Sequence, residues 1–215
     1  MRGGLAVRLA SLVLGLLLFA AGIVGFLKAG LGLPPWDVLH QGVAERTPLT
    51  FGLTNIAVGL VVLLGAWGLG ARIGIGTVAN AVVVGVFIDG LLALDAVQGL
   101  AEAPLGARVG LLGLAIVFVG AGTAFYIGAD LGAGPRDSLM LVGSLRSGRR
   151  VGVVRAVIEL AVLGLGFVLG GTAGVGTVAF ALLIGPSVEL GFGALRRSPL
   201  VAPPRVDAVA PQPVH

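Results

Sequence analysis

The chain has 215 residues, 57% of them hydrophobic, and a mean hydropathy of +1.08. Only 11% are Asp, Glu, Lys or Arg, against about 25% in soluble domains, so the charges cannot cover a soluble body of this size. The net charge is +4, every cation except Lys28 is Arg, and the lack of Cys excludes disulfides, thiolate metal sites and Cys nucleophiles.

The apolar residues fall into long runs. About 20 of them at a rise of 1.5 Å span a hydrocarbon core of about 30 Å. Six spans are predicted, at about 8–28, 52–70, 76–96, 108–128, 152–170 and 174–193. The short alternating segments of a membrane β-barrel are not seen. The predicted fold class is therefore all-α: a polytopic membrane protein with six transmembrane helices.

In chain order, the first span follows Arg2 and Arg8 and looks like a signal peptide. It is read as a retained span, because Arg8–Lys28 has an internal counterpart at Arg108–Gly128. A short extra helix is predicted in the loop that follows, over 35–46, and another over 135–146. Each begins with Pro, whose missing N–H would be orphaned there anyway. Neither is long enough to cross the bilayer, so each lies at the interface or dips in as a half-helix. Trp36 favours headgroup level. The third and sixth spans open on GIGTVA (74–79) and GVGTVA (174–179), where Thr77 and Thr177 are expected as N-caps. Residues 1–197 form one transmembrane domain. The Pro-rich tail 198–215 is expected to be disordered.

These pairs belong to a duplication. GLPPWDVL (32–39) and GAGPRDSL (132–139) share Gly, Pro, Asp and Leu at the same places. Laying 8–92 over 108–192 without gaps also matches Arg8, Ala21, Gly22, Arg46, Gly52, Gly70, Gly74, Thr77 and Gly85 with residues 100 further on. A composition rich in Gly, Leu, Ala and Val does not account for shared Pro, Asp, Arg and Thr. Repeat one covers about 8–96 and repeat two about 108–193. Each has three spans, an odd number, so the second must enter from the opposite side. The expectation is a pair of inverted repeats.

Positive charge gives an independent reading. With the N-terminus in the cytoplasm, cytoplasmic segments hold Arg2, Arg8, Arg72, Arg136, Arg146, Arg149, Arg150, Arg155, Arg196, Arg197 and Arg205. External segments hold only Lys28, Arg46 and Arg108. Both termini are therefore expected in the cytoplasm. The cluster at 146–150 is explained by orientation and anionic lipid. It has no aromatic residues to stack nucleic-acid bases, so no nucleic-acid partner is expected.

Polar residues inside spans are costly and carry most information. Arg155 and Glu159 share one helix face, where repeat one has Asn55 and Gly59. Asp37 and Asp137 of the paired motifs can cap helices or serve as functional carboxylates. These four are the predicted substrate or ion site. His40, Asn55, Asn80, Asp89 and Glu189 are secondary polar candidates; Asp89 and Glu189 are matched acids near helix ends, expected to be solvated or paired. No catalytic residues, metal site or cofactor are expected, and the chain is not read as an enzyme.

Several stretches carry a resemblance: PPWDVLHQGV (34–43), GIGTVANAVVVGVFID (74–89), GAGPRDSLML (132–141), VGVVRAVIE (151–159) and LGGTAGVGTVAFALLIGPSVEL (169–190). On these the chain resembles the YczE/YyaS/YitT family of bacterial integral membrane proteins, in its YczE-like branch. The resemblance implies a multispanning protein of a bacterial plasma membrane and supplies no mechanism. The duplication and the intramembrane charges point to a transporter or permease-like protein for a small solute or ion. The alternative is a non-transporting accessory or regulatory membrane protein, with a filled interior. The lipid bilayer is the expected partner, and self-association into a homo-oligomer is left open.

Overall fold

The computed structural model describes residues 4–197, which contain helices and no strand. Six helices are long and apolar enough to cross a membrane: α1 (Leu5–Ala29), α3 (Phe51–Gly68), α4 (Ile75–Leu92), α6 (Leu105–Gly128), α8 (Val151–Val168) and α9 (Val175–Arg197). The two motif stretches form α2 (Pro35–Ala44) and α7 (Pro135–Ser147). The protein is thus an all-α membrane protein with six spans, as its hydropathy predicts.

The third span is shorter than predicted. α4 ends at Leu92, and Asp95 opens a separate short helix, α5 (Asp95–Gln98), followed by a 3-10 turn at Gly99–Glu102. Asp95 and Glu102 are cheaper to solvate in a loop than to carry into a span. The Pro-rich stretch 198–215 lies outside the described residues.

α1 and α6 form the antiparallel centre. Apolar side chains provide little drive to associate in lipid, so helices there rely on close contact over small residues. Gly22 sits against Val119, and Gly122 sits against Phe19. Each α1–α6 glycine thus meets the partner of the other, offset by 100 residues. Leu12, Leu16, Ala20 and Ile23 of α1 pack with Val84 and Ile88 of α4 on one side. Phe26 and Ala29 pack with Leu112, Ala115 and Ile116 of α6 on the other.

The same exchange recurs in hydrogen bonds. Arg8 Nε donates to Ala129 O (2.8 Å), and Arg108 Nε donates to Ala29 O (2.7 Å). Arg46 Nε donates to Leu169 O (2.8 Å), and Arg146 Nε donates to Leu69 O (2.9 Å). Four arginines shared by the two copies therefore close the carbonyl ends of helices in the opposite copy. A cation at a helix C-terminus also meets the negative end of the helix dipole. Gly76 N–H donates to Leu131 O (2.8 Å), and Gly176 N–H donates to Leu31 O (2.7 Å).

Backbone geometry explains why the loops before α2 and α7 keep their glycines. Gly32 and Gly132 have φ of 108° and 125°, a region that side-chain-bearing residues rarely adopt. A Cβ on Gly32 would also fall 2.4 Å from the Gly174 amide nitrogen. These turns fold α2 and α7 back into the body against α8 and α3.

Candidate functional site

α2 and α7 bring their N-terminal ends together. Trp36 and Arg136 occupy the same position in the two copies, and they touch: the Arg136 guanidinium lies over the Trp36 ring, 5.2 Å from its centroid. Arg136 also comes within 3.7 Å of Asp37. Two residues related by the 100-residue offset can meet like this only where the halves meet.

A cavity of about 540 Å³ surrounds this junction. Both copies contribute equivalent positions to its wall: Pro35 and Pro135, Asn55 and Arg155, Gly59 and Glu159, Asn80 and Phe180. Pro35 and Ala81 recur in the wall as Pro135 and Ala181, whereas the polar and charged lining positions do not repeat. Asp137, Arg155 and Glu159 all line it, so three of the four residues picked from sequence share one cavity. Arg155 Nε and Glu159 Oε1 are 2.9 Å apart, one helical turn from each other. Asp137 accepts a hydrogen bond from the Tyr126 hydroxyl.

Asp37, the fourth, stands one layer behind the wall. It is buried, with Oδ1 3.1 Å from His40 Nδ1. His40 Nδ1 is in turn 3.2 Å from Asn55 Nδ2. Asn55, His40, Asp37 and Arg136 thus form a chain of polar contacts from α3 through α2 to α7. His40 Nδ1 serves one neighbour at a time, donating to Asp37 or accepting from the Asn55 amide, and such contacts offset part of the cost of burying polar groups. The chain fixes where Arg136 points.

Several expectations need correction. Neither Asp37 nor Asp137 caps its helix: each is the third helical residue, and no side chain bonds the N-cap position of α2 or α7. Their carboxylates turn to His40, Arg136 and Tyr126. Thr77 and Thr177 are also one turn inside the helix. Their hydroxyl oxygens accept from the N–H of Gly74 (3.1 Å) and Gly174 (3.0 Å), which are the residues at the helix starts. Trp36 is buried in the cavity wall beneath the Arg136 guanidinium. The matched acids have parted company. Asp89 accepts from Thr50 and from Gly52 N–H (2.8 Å) at the start of α3, whereas Glu189 lines the cavity. Asn80 lines it too.

Sequence reasoning missed Arg136 and Tyr126. Charge counting places Arg136 among the cytoplasmic cations, whereas its side chain lies against Trp36 and Asp37. The available signal was its alignment with Trp36, an aromatic partner for a cation. The signal for Tyr126 was the chain's single tyrosine, placed in an apolar span and aligned with Phe26. The indole Nε1 of Trp36 is buried without a hydrogen-bond partner, as is the hydroxyl of Thr54.

A six-helix membrane protein with a polar cavity at the meeting of two short helices is the class these observations define. The chain belongs to a family of unknown function, DUF6198, whose pattern matches residues 6–191. An uncharacterized protein of Haemophilus influenzae is 36% identical over 191 residues, covering 86% of each chain. The uncharacterized membrane protein YczE of Bacillus subtilis is 34% identical over 141 residues, covering 62% of this chain and 61% of that one. The YczE-like kinship expected from the motifs is therefore shown. No solved structure matches the chain.

Proposed function

We propose that this protein is a transporter or permease-like protein that moves a small polar or charged solute, or an ion, across a bacterial plasma membrane. It is not read as an enzyme. The two copies are proposed to be inverted repeats, with both termini in the cytoplasm. Three spans per copy and the reciprocal contacts at a 100-residue offset support this reading. α2 and α7 then enter from opposite faces as half-helices of about 15 and 20 Å. Their N-termini present partial positive charge to a central site, as in transporters built on broken helices.

One observation carries the proposal. Arg136, Asp137, Arg155, Glu159 and Glu189 all border a cavity of about 540 Å³ within a body of apolar helices. Charges held there are costly unless they have a task, and a solute-sized space beside them supplies one. The accessory reading has no use for such a space. Arg136 and Arg155 would hold an anionic group of the solute, and Asp137 and Glu159 would hold a cation or carry a proton.

The test is purified protein in liposomes, screened for uptake of ions, amino acids, organic acids and organic cations. Uptake of one class is expected, cut at least tenfold by Glu159→Gln with the fold intact. Folded protein that moves none of these classes would remove the transport reading.

A further inference from the structure

The two copies differ most in one helix pair, and α9 also packs more extensively on α6 than α4 does on α1. α3 packs along α4, whereas α8 and α9, the equivalent pair, barely touch. The α3–α4 seam is a glycine crossing: a Cβ on Gly52 would fall 2.2 Å from Gly85 O, and one on Gly85 2.4 Å from Gly52 O. The duplicate retains both glycines, as Gly152 and Gly185. Yet a Cβ on either would meet nothing within 4 Å. Asp89 fastens the first seam by accepting from Thr50 and Gly52 N–H. Its equivalent Glu189 lines the cavity, and the equivalent of Thr50 is Arg150, an opposite charge.

We propose that α8 and α9 are a gate that closes along a Gly152–Gly185 crossing, with Glu189 taking the Gly152 N–H and pairing with Arg150. The proposal rests on the transport reading only for its purpose, a way into and out of the cavity. Two features suit α8–α9 to movement. Gly166 is the one buried residue of α8, seated against Val38 and Leu39 of α2, so that end is the pivot. Pro186 stands in α9 where α4 has Val86 and removes one backbone hydrogen bond beside Gly185. Closure would shut the cavity beside Arg155 and Glu159, which move with α8.

The natural chain has no Cys, so paired spin labels report distances cleanly in the full-length protein in lipid nanodiscs. One pair is Val153→Cys with Leu190→Cys. Its reference is Leu53→Cys with Gly90→Cys, exposed positions on the seam that is already closed. The gate pair should show a long distance and a second one matching the reference. Gly185→Leu, which meets open space in the structure, should abolish the short population. Glu189→Gln should lower it at least threefold. A single long distance overturns the gate. So does a short distance that vanishes on dilution with unlabelled chains, because it would place a second copy at that face. Parallel flux measurements separate the two ideas. Closure without uptake of any class removes the transport reading and leaves the gate. Uptake unchanged in Gly185→Leu removes the gate and leaves transport.

Discussion

The four arginine clasps make the sharpest test of how the halves hold each other. Arg8→Ala and Arg108→Ala each remove a charged donor from a helix-ending carbonyl, Ala129 O or Ala29 O. A hydrogen bond to a charged group contributes about 1.5–3 kcal/mol. Both guanidinium contacts are only partly buried, so each variant should cost about 1–2 kcal/mol after discounting for solvent. The Arg46 and Arg146 clasps are exposed, and their removal should cost less than about 1 kcal/mol each. Arg8 and Arg108 sit at opposite ends of the α1–α6 pair, about 30 Å apart by helix rise. Their effects should therefore add, giving about 2–4 kcal/mol for the double variant. Reversible unfolding in mixed micelles, followed by steric trapping or tryptophan fluorescence, measures these differences. Additive costs are expected, with Arg8→Ala the costlier by a few tenths of a kcal/mol at most, because Arg8 also pairs with the exposed Asp130 carboxylate. If Arg108→Ala is silent while Arg8→Ala is destabilising, the reciprocal contact is not an energetic one.

The glycine seam predicts an unequal pair: Gly52→Ala places a methyl on Gly85 O and should cost about 1–3 kcal/mol of unfolding free energy, whereas Gly152→Ala, with open space around it, should stay within about 0.5 kcal/mol. Asp37→Ala leaves Arg136 without the Asp37 carboxylate and His40 with Asn55 alone, so it should destabilise by about 1–3 kcal/mol. Much of that cost should be absent when Arg136→Ala is already present, which a double-mutant cycle reads directly. Trp36→Phe keeps a ring beneath Arg136 and deletes an N–H that has no partner, so thermal unfolding in detergent should be unchanged or slightly raised.

Hydropathy alone made the six spans legible, because a run of apolar residues has few other uses in a chain this short of charge. The duplication was legible through residues that composition does not favour: Pro35, Asp37, Arg46 and Thr77, each recurring 100 later. The site was half legible. Arg155 and Glu159 stood out as costly charges on one face, and they do line the cavity. What could not be read was which way a side chain turns. Asp37 has the sequence signature of a helix cap, and its burial among His40, Asn55 and Arg136 depends on α2 meeting α7 and α3 in space. Arg8, Arg46, Arg108 and Arg146 are a sharper case. Charge counting treats them as markers of sidedness, with Arg46 and Arg108 on the poorly charged side. Their carbonyl contacts give all four one structural task, so Arg46 and Arg108 need no explanation from topology.

That task also separates what the duplication kept from what it changed. Several contacts that join the halves use residues alike in both copies: Arg8 and Arg108, Gly22 and Gly122, Gly76 and Gly176. Several positions facing the cavity have diverged: Trp36 against Arg136, Asn55 against Arg155, Gly59 against Glu159, Asn80 against Phe180; Pro35 and Ala81 recur as Pro135 and Ala181. All the charged side chains in the wall, Arg136, Asp137, Arg155, Glu159 and Glu189, come from the second copy. The same copy holds the helix pair that stands apart. A duplicated body needs its joints matched, or the halves would not fit. It has no such need for a solute, which presents different groups to its two sides. Loss of matched polar groups in the cavity wall, beside arginine and glycine joints that stay alike, is therefore the pattern expected if the space between the halves is where this protein does its work.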